Sequence, residues 1–114
     1  MAVFVMSRLL IEQRPFLELY LKASLLQRRA LLQTVSVSQL RALSEIVHNV
    51  LVGNVSLTPA ESVKLKKKRS LLYVLGDKRV RHSRKKRVLQ TGANIIQYVL
   101  RIALPHMPWR PSPS

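Results

Sequence analysis

The chain has 114 residues and a formal net charge of +15, because 20 lysines and arginines face only five acids. This length predicts one small domain with tails. Its hydrophobic content of 47% predicts a folded chain rather than a disordered one. The absence of cysteine excludes disulfides, thiolate metal sites and a cysteine nucleophile. No apolar run is long enough to predict a membrane-spanning helix.

The first 33 residues predict an N-terminal helical region. The pattern of residues 1–13 is ambiguous, and the prediction for this stretch is a helix. From Pro15, which suits a first helical turn, apolar residues recur at helical spacing and predict a second helix over residues 14–33. The apolar arc of this helix is wide, which predicts burial on more than one side or pairing with another chain. A homo-oligomer is therefore one possible assembly.

Two further helices are predicted to form an antiparallel hairpin. Ser36 or Ser38 can cap the first of them, and Gly53 closes it at the position that favours a left-handed residue. The sequence Thr58-Pro59-Ala60-Glu61 is a capping box, so the second helix begins there. We extend it to residue 75, with Gly76 as its end. The helix of residues 14–33 is expected to pack across this hairpin.

The remaining chain predicts two short helices and a tail. Ser83 can cap a basic helix that ends near Gly92, and apolar residues line one side of a helix over residues 94–104, which Pro105 terminates. The Pro- and Ser-rich tail is expected to be unstructured. The predicted fold is therefore all-α, a small bundle of four to five short helices with a central helical hairpin and a basic face. Its predicted regions are 1–33 (N-terminal helical region), 34–92 (basic helical domain), 93–104 (short amphipathic helix) and 105–114 (disordered tail).

The most informative stretch is residues 64–87, which we call the basic segment. It contains twelve of the twenty basic residues and one acid, Asp77, and so contributes +11 of the +15 charge. Such a density of like charge weakens a compact state unless a polyanion neutralises it. The predicted nucleic-acid-binding residues are Lys64, Lys66, Lys67, Lys68, Arg69, Lys78, Arg79, Arg81, Arg84, Lys85, Lys86 and Arg87.

This composition favours binding to phosphates over reading of bases. Lysines act as point charges, and Asn and Gln are scarce in the segment, so little sequence preference is expected. DNA is favoured over RNA as the partner. The alternatives are an RNA- or membrane-surface role, a nuclear-localisation signal on a solvated face, and a helix-turn-helix reader that sets residues 83–90 into the major groove.

Catalysis has no support in the sequence. His48, His82 and His106 are scattered, the five acids form no carboxylate pair, and no catalytic or nucleotide-binding motif occurs. We therefore predict no enzyme, no cofactor and no metal.

The middle of the chain follows the pattern of a known protein family over roughly half of its length. The residues that match this pattern are Leu40, Leu43, Gly53, Asn54, Leu57, Glu61, Lys64 to Arg69, Leu75, Asp77, Lys78, Val80, Ser83, Lys85, Lys86, Arg87, Gln90 and Gly92. In these residues the chain resembles the small basic protein family of Polinton (Maverick) elements and adintoviruses. The family is compared with the basic core proteins of adenoviruses. The resemblance therefore implies a virion-associated DNA-binding role, in the virion or the host nucleus.

The same resemblance marks Gly92 and Ala93 as a possible processing site. The family has two glycines at this point, in what resembles a cleavage site for an adenovirus-type maturation protease, whereas this chain has Gly92-Ala93. The alternative is that Gly92 only ends a helix.

A second class of function rests on the predicted helix over residues 94–104. With Trp109 and Arg110 behind it, this amphipathic helix could lie in a membrane interface or dock on a capsid protein. The chain would then be a structural or membrane-active capsid accessory protein. The alternative is that the helix completes the small core.

Overall fold

The computed structural model describes residues 7–107, which form eight α-helices and one 3-10 turn and contain no strand. The predicted all-α class is confirmed, whereas the predicted count of four to five helices is wrong. The elements are α1 (Arg8–Glu12), α2 (Arg14–Lys22), α3 (Leu25–Gln33), α4 (Val37–Leu51), α5 (Pro59–Lys66), α6 (Arg69–Gly76), α7 (His82–Thr91), α8 (Ala93–Ala103) and the 3-10 turn Leu104–His106.

The helix predicted over residues 14–33 is broken at Ala23 and Ser24. Ser24 is extended and caps α3 through a capping box, in which its hydroxyl accepts from the Gln27 N–H and its own N–H donates to the Gln27 side chain. The carbonyl of Ala23, freed by the break, accepts hydrogen bonds from Arg28 and Gln97. These bonds satisfy backbone groups that a continuous helix would have paired internally.

The helix predicted over residues 58–75 is also broken, at Lys67 and Lys68, which end α5 and precede α6. Cations at consecutive and helically adjacent positions repel one another and disfavour a continuous helix. The predicted capping box at Thr58 and Glu61 is present and begins α5. The break separates the two halves of the predicted helix, and α6 packs against α4 more extensively than α5 does.

Several predicted helix ends are resolved by the structure. Ser36, rather than Ser38, caps α4, and Gly53 follows that helix with a φ of 84°. Gly92 is the C-cap of α7, as predicted. Ser83 is not the cap of α7, because the helix begins at His82, so Ser83 lies within its first turn; the N-cap is Arg81, whose side chain makes no capping bond.

The core is built around α8, which packs against α2, α3, α4 and α7. Its residues Ile96, Val99, Leu100 and Ala103 are buried. The Tyr20 hydroxyl donates to the Ala93 carbonyl over 3.0 Å, so α2 is fixed to the start of α8. The N-terminal helices are therefore part of the same packed core as the rest of the described chain.

The predicted tail is structured where it begins. Pro105 and His106 lie in the 3-10 turn that follows α8 directly, and Met107 is buried. The remainder of the predicted tail, residues 108–114, and the first six residues of the predicted N-terminal helix lie outside the described residues.

Candidate nucleic-acid interface

The structure places the basic segment on two neighbouring parts of the fold. One part is α5 with its junction to α6, and the other is the loop from α6 to α7 together with α7. Ten of the twelve predicted residues are exposed, namely Lys64, Lys66, Lys67, Lys68, Arg69, Lys78, Arg79, Arg81, Arg84 and Arg87. Lys86 is half-buried and Lys85 is buried.

Within the described residues, each of the five side-chain carboxylates already has a partner. Three form ion pairs with arginines: Glu12 with Arg8, Glu18 with Arg14, and Asp77 with Arg79. Glu45 accepts a hydrogen bond from the Ser7 hydroxyl, and Glu61 accepts one from the Thr58 N–H. The exposed cations of the basic segment, apart from Arg79, therefore form no ion pair with a carboxylate of residues 7–107.

Three cations of the segment have contacts that fix their position. The Arg79 guanidinium bonds both carboxylate oxygens of Asp77 at 3.1 Å, which lowers the pKa of Asp77 and raises that of Arg79. The Lys64 ammonium lies 4.0 Å from the centre of the Tyr98 ring, a cation–π contact that links α5 to α8. Lys86 donates to the Gln33 carbonyl at the end of α3.

Helix α7 has one buried and one exposed side. Lys85 and Leu89, four residues apart, face the core, whereas Arg84 and Arg87, three residues apart, are exposed. An anionic surface can therefore approach the arginine side of α7 without disturbing the core. Gln90, on the same exposed side, is the one side-chain amide there that could reach a base edge.

Lys85 does not belong to the exposed surface. Its exposed fraction is 3%, and its ammonium donates to the Ser44 hydroxyl of α4 over 3.2 Å. Burial lowers the pKa of Lys85, an effect that the nearby charge of Asp77 opposes. A buried ammonium with a hydroxyl as its hydrogen-bond partner is an unusual arrangement, because burial of a charge is costly unless the charge is paired.

Gly92 and Ala93, the possible processing site, are buried. A Cβ atom on Gly92 would lie 2.5 Å from a methyl group of Leu71, so any side chain there would require the Leu71 methyl groups to move. The Ala93 carbonyl is held by Tyr20. A protease would reach this peptide bond only after local unfolding of the segment that joins α7 to α8.

The helix predicted over residues 94–104 occurs as α8 and completes the core. Its apolar residues are buried against other helices, and so do not present an apolar face to a membrane or a capsid protein. Among residues 7–107, no helix has the length and apolar character needed to cross a membrane. The same residues contain no cluster of three or more side chains that could ligate a metal.

The sequence analysis missed a cavity of about 650 Å³ between α1, α4 and the start of α7, whose lining combines apolar surface with several polar and charged side chains. Residues that line it include Arg41, Ser44, Glu45, His82 and Lys85. For two of them, Ser44 and Lys85, the helical spacing in the sequence indicates burial. Ser44 lies four residues after Leu40 on the apolar side of α4, and Lys85 lies four residues before Leu89 on the apolar side of α7.

Comparison with protein-family models, with curated proteins and with solved structures gave no match to this chain.

Proposed function

We propose that this chain is a non-enzymatic protein that binds and condenses DNA through charge, with little dependence on base sequence. The observation that carries the proposal is the set of exposed cations in the basic segment, none of which except Arg79 is paired with a carboxylate of residues 7–107. Each such cation can approach a phosphate and release a condensed counterion, which favours association.

Two features of the interface support contact with phosphates over recognition of bases. Lysine is the main cation at the α5–α6 junction, where Lys66, Lys67 and Lys68 are consecutive and exposed. A lysine ammonium lacks the planar fork with which arginine matches a guanine edge. On α7 the exposed Arg84 and Arg87 lie between Ser83 and Gln90, which are also exposed, and phosphate contacts are the commoner use of such side chains.

The setting in a virion-like particle or host nucleus rests on the resemblance to the Polinton family. Condensation of DNA in a small volume requires neutralisation of many phosphates, and a net charge of +15 on 114 residues suits that task. In this proposal the two parts of the basic segment act as one basic face that contacts separate stretches of duplex. The runner-up, a helix-turn-helix reader, would use the exposed side of α7 and would show a preferred sequence.

The experiment compares two variants that each lose three exposed cations. The test variant replaces Lys67, Arg84 and Arg87 with Gln, and the matched control replaces Lys22, Arg29 and Arg101, which are exposed outside the segment. Binding to a duplex is measured by fluorescence anisotropy over a range of salt concentrations. Each lost phosphate contact flattens the plot of log affinity against log salt by about 0.9.

We expect a slope about 2.7 smaller in magnitude for the test variant and a change below about 1 for the control. Equal losses in both variants would mean that net charge alone attracts the DNA and that the basic segment is not the interface. Failure of the intact chain to bind at physiological salt would reject the proposal.

A further inference from the structure

The cavity between α1, α4 and α7 has an excess of positive charge. Arg41, Lys78 and Lys85 line it together with one carboxylate, that of Glu45. The Glu45 carboxylate accepts the Ser7 hydroxyl over 2.8 Å. These four side chains give the wall a formal net charge of +2.

The hydrogen-bonding capacity of the buried lysine is incompletely used. An ammonium group has three N–H donors, and the one hydrogen bond that Lys85 makes within the described residues is to Ser44. No carboxylate of those residues forms an ion pair with Lys85. Asp77, whose charge raises the pKa of Lys85, forms its ion pair with Arg79 instead. Two of the three N–H donors of the buried Lys85 ammonium therefore have no hydrogen-bond partner among residues 7–107.

A second polar group at the same wall has no partner. The Nδ1 atom of His82 is buried without a hydrogen bond in the described part of the chain, and His82 lines the cavity as the first residue of α7. That helix begins without a side-chain cap, so its N-terminal amides and the positive end of its dipole add to the potential. Lys85 lies one turn further along the same helix.

We propose that this cavity binds a phosphate monoester of nucleotide size. The phosphate would accept hydrogen bonds from the Lys85 ammonium, and Arg41 and Lys78 at the exposed edge would add attraction. An anion there supplies the counter-charge that the buried ammonium lacks, which is the condition under which burial of a charge is tolerated.

The size and the remaining lining explain why the ligand is larger than inorganic phosphate. About 650 Å³ falls within the range of about 300–1,000 Å³ that is typical of sites for small organic molecules. Glu45 and Asn54 add side-chain oxygens that can accept from hydroxyl or amino groups, whereas the Asn49 amide is already bonded to Glu45 and Asn54. The carboxylate of Glu45 would repel a second phosphate but accept from a sugar hydroxyl, so a single phosphate on a polar organic group fits best.

The test is a titration of the intact chain with AMP and with adenosine, followed by amide chemical shifts in ¹H–¹⁵N spectra at physiological salt. The variant Lys85→Met keeps the apolar stem and removes the ammonium. The matched control is Arg87→Gln, which removes an exposed cation from the same helix. A second variant, Arg41→Gln, tests the edge of the cavity at an exposed position where the fold does not depend on the side chain.

We expect saturable shifts at Ser44, His82 and Lys85 with AMP and none with adenosine. The affinity should fall by at least about tenfold in Lys85→Met, because a charge-assisted bond is lost. It should fall by about threefold in Arg41→Gln and remain within about twofold in Arg87→Gln. A 5′-phosphorylated DNA strand that produces the same shifts would assign the phosphate to a strand end, whereas AMP alone would assign it to a free nucleotide.

Two results would overturn this proposal. Shifts spread over the exposed cations of α5 and α7, reduced equally by Lys85→Met and Arg87→Gln, would mean that AMP is attracted only to the surface. An affinity for AMP that is unchanged in Lys85→Met would remove the cavity from consideration. Rejection of the cavity site would leave the proposed duplex interface standing, because Lys85 is buried and is not one of the exposed cations assigned to that interface.

Discussion

Replacement of Tyr20 by phenylalanine should lower stability at neutral pH and raise it at strongly alkaline pH. The Tyr20 side chain is fully buried, and its hydroxyl donates to the Ala93 carbonyl over 3.0 Å. Burial raises the pKa of Tyr20 from 10.0 to about 12, an effect that the charge of Arg28 partly opposes. The folded chain therefore favours the neutral phenol.

The sign of the pH effect follows from this shift. Below pH 10.0 the phenol is neutral in both the folded and the unfolded chain, so its contribution to stability is fully present. Between pH 10.0 and about 12 the unfolded chain loses the proton while the folded chain keeps it, and stability falls. At about 1.4 kcal/mol per pKa unit, two units amount to a loss of about 2.7 kcal/mol.

At neutral pH the variant Tyr20→Phe should be less stable by about 1 kcal/mol, the net value of one hydrogen bond. The Ala93 carbonyl begins α8 and can still accept a helical bond, which keeps the cost near this value. Because the variant has no phenol at this position, its free energy of unfolding does not fall through ionisation of this side chain at alkaline pH. The two free energies of unfolding should therefore cross between pH 10.0 and about 12.

Urea unfolding followed by circular dichroism, at neutral pH and across this alkaline range, measures the difference. Tyr73→Phe is the matched control, because its ring is 60% exposed, and no crossing is expected for it. A difference between wild type and Tyr20→Phe that stays constant with pH would refute the burial argument and the packing of α2 against the start of α8.

Three further predictions concern stability and are measured by urea unfolding at neutral pH. Gly92→Ala should lower the free energy of unfolding by about 1 kcal/mol, because the methyl groups of Leu71 must move aside. The cost should be smaller when Leu71→Ala is already present; an equal cost in both backgrounds would contradict the close approach. Ser36→Ala should lower the free energy of unfolding by about 1 kcal/mol because it removes the N-cap of α4, while Ser38→Ala should change it by less than about 0.5 kcal/mol. Equal effects of the two substitutions would argue against Ser36 as the cap. Lys85→Met should leave the free energy of unfolding unchanged or raise it by up to about 4 kcal/mol, since it removes a buried charge that has no carboxylate partner. A loss above about 1 kcal/mol would show that the hydrogen bond to Ser44 outweighs the cost of burying the charge.

Local sequence patterns predicted the helical class and several helix ends, because those features depend on neighbouring residues. The capping box at Thr58 and Glu61, the C-cap at Gly92 and the left-handed Gly53 all follow from side chains within a few positions. The break at Ser24 had a comparable local signal, since Ser24 and Gln27 form a capping box. The longer apolar periodicity across it gave the misleading indication of one continuous helix.

Features set by distant contacts could not be predicted in this way. Arg28 is buried because it donates to Ala23 and to the side chain of Asn94, a residue 66 positions away. Lys85 is buried because α7 packs against α4, where Ser44 is its partner. Composition placed Lys85 with the exposed cations, although its spacing from Leu89 puts it on the apolar side of α7; its partner Ser44 follows only from the packing of these two helices.

The measurement that tests the central claim most directly is the salt dependence of binding by the intact chain to two duplexes of unrelated sequence. With six or more phosphate contacts we expect log affinity to fall with log salt at a slope of about −5 or steeper, equal for the two duplexes. A shallow slope, or a strong preference for one duplex, would contradict charge-driven, sequence-independent binding and would favour recognition of bases by α7.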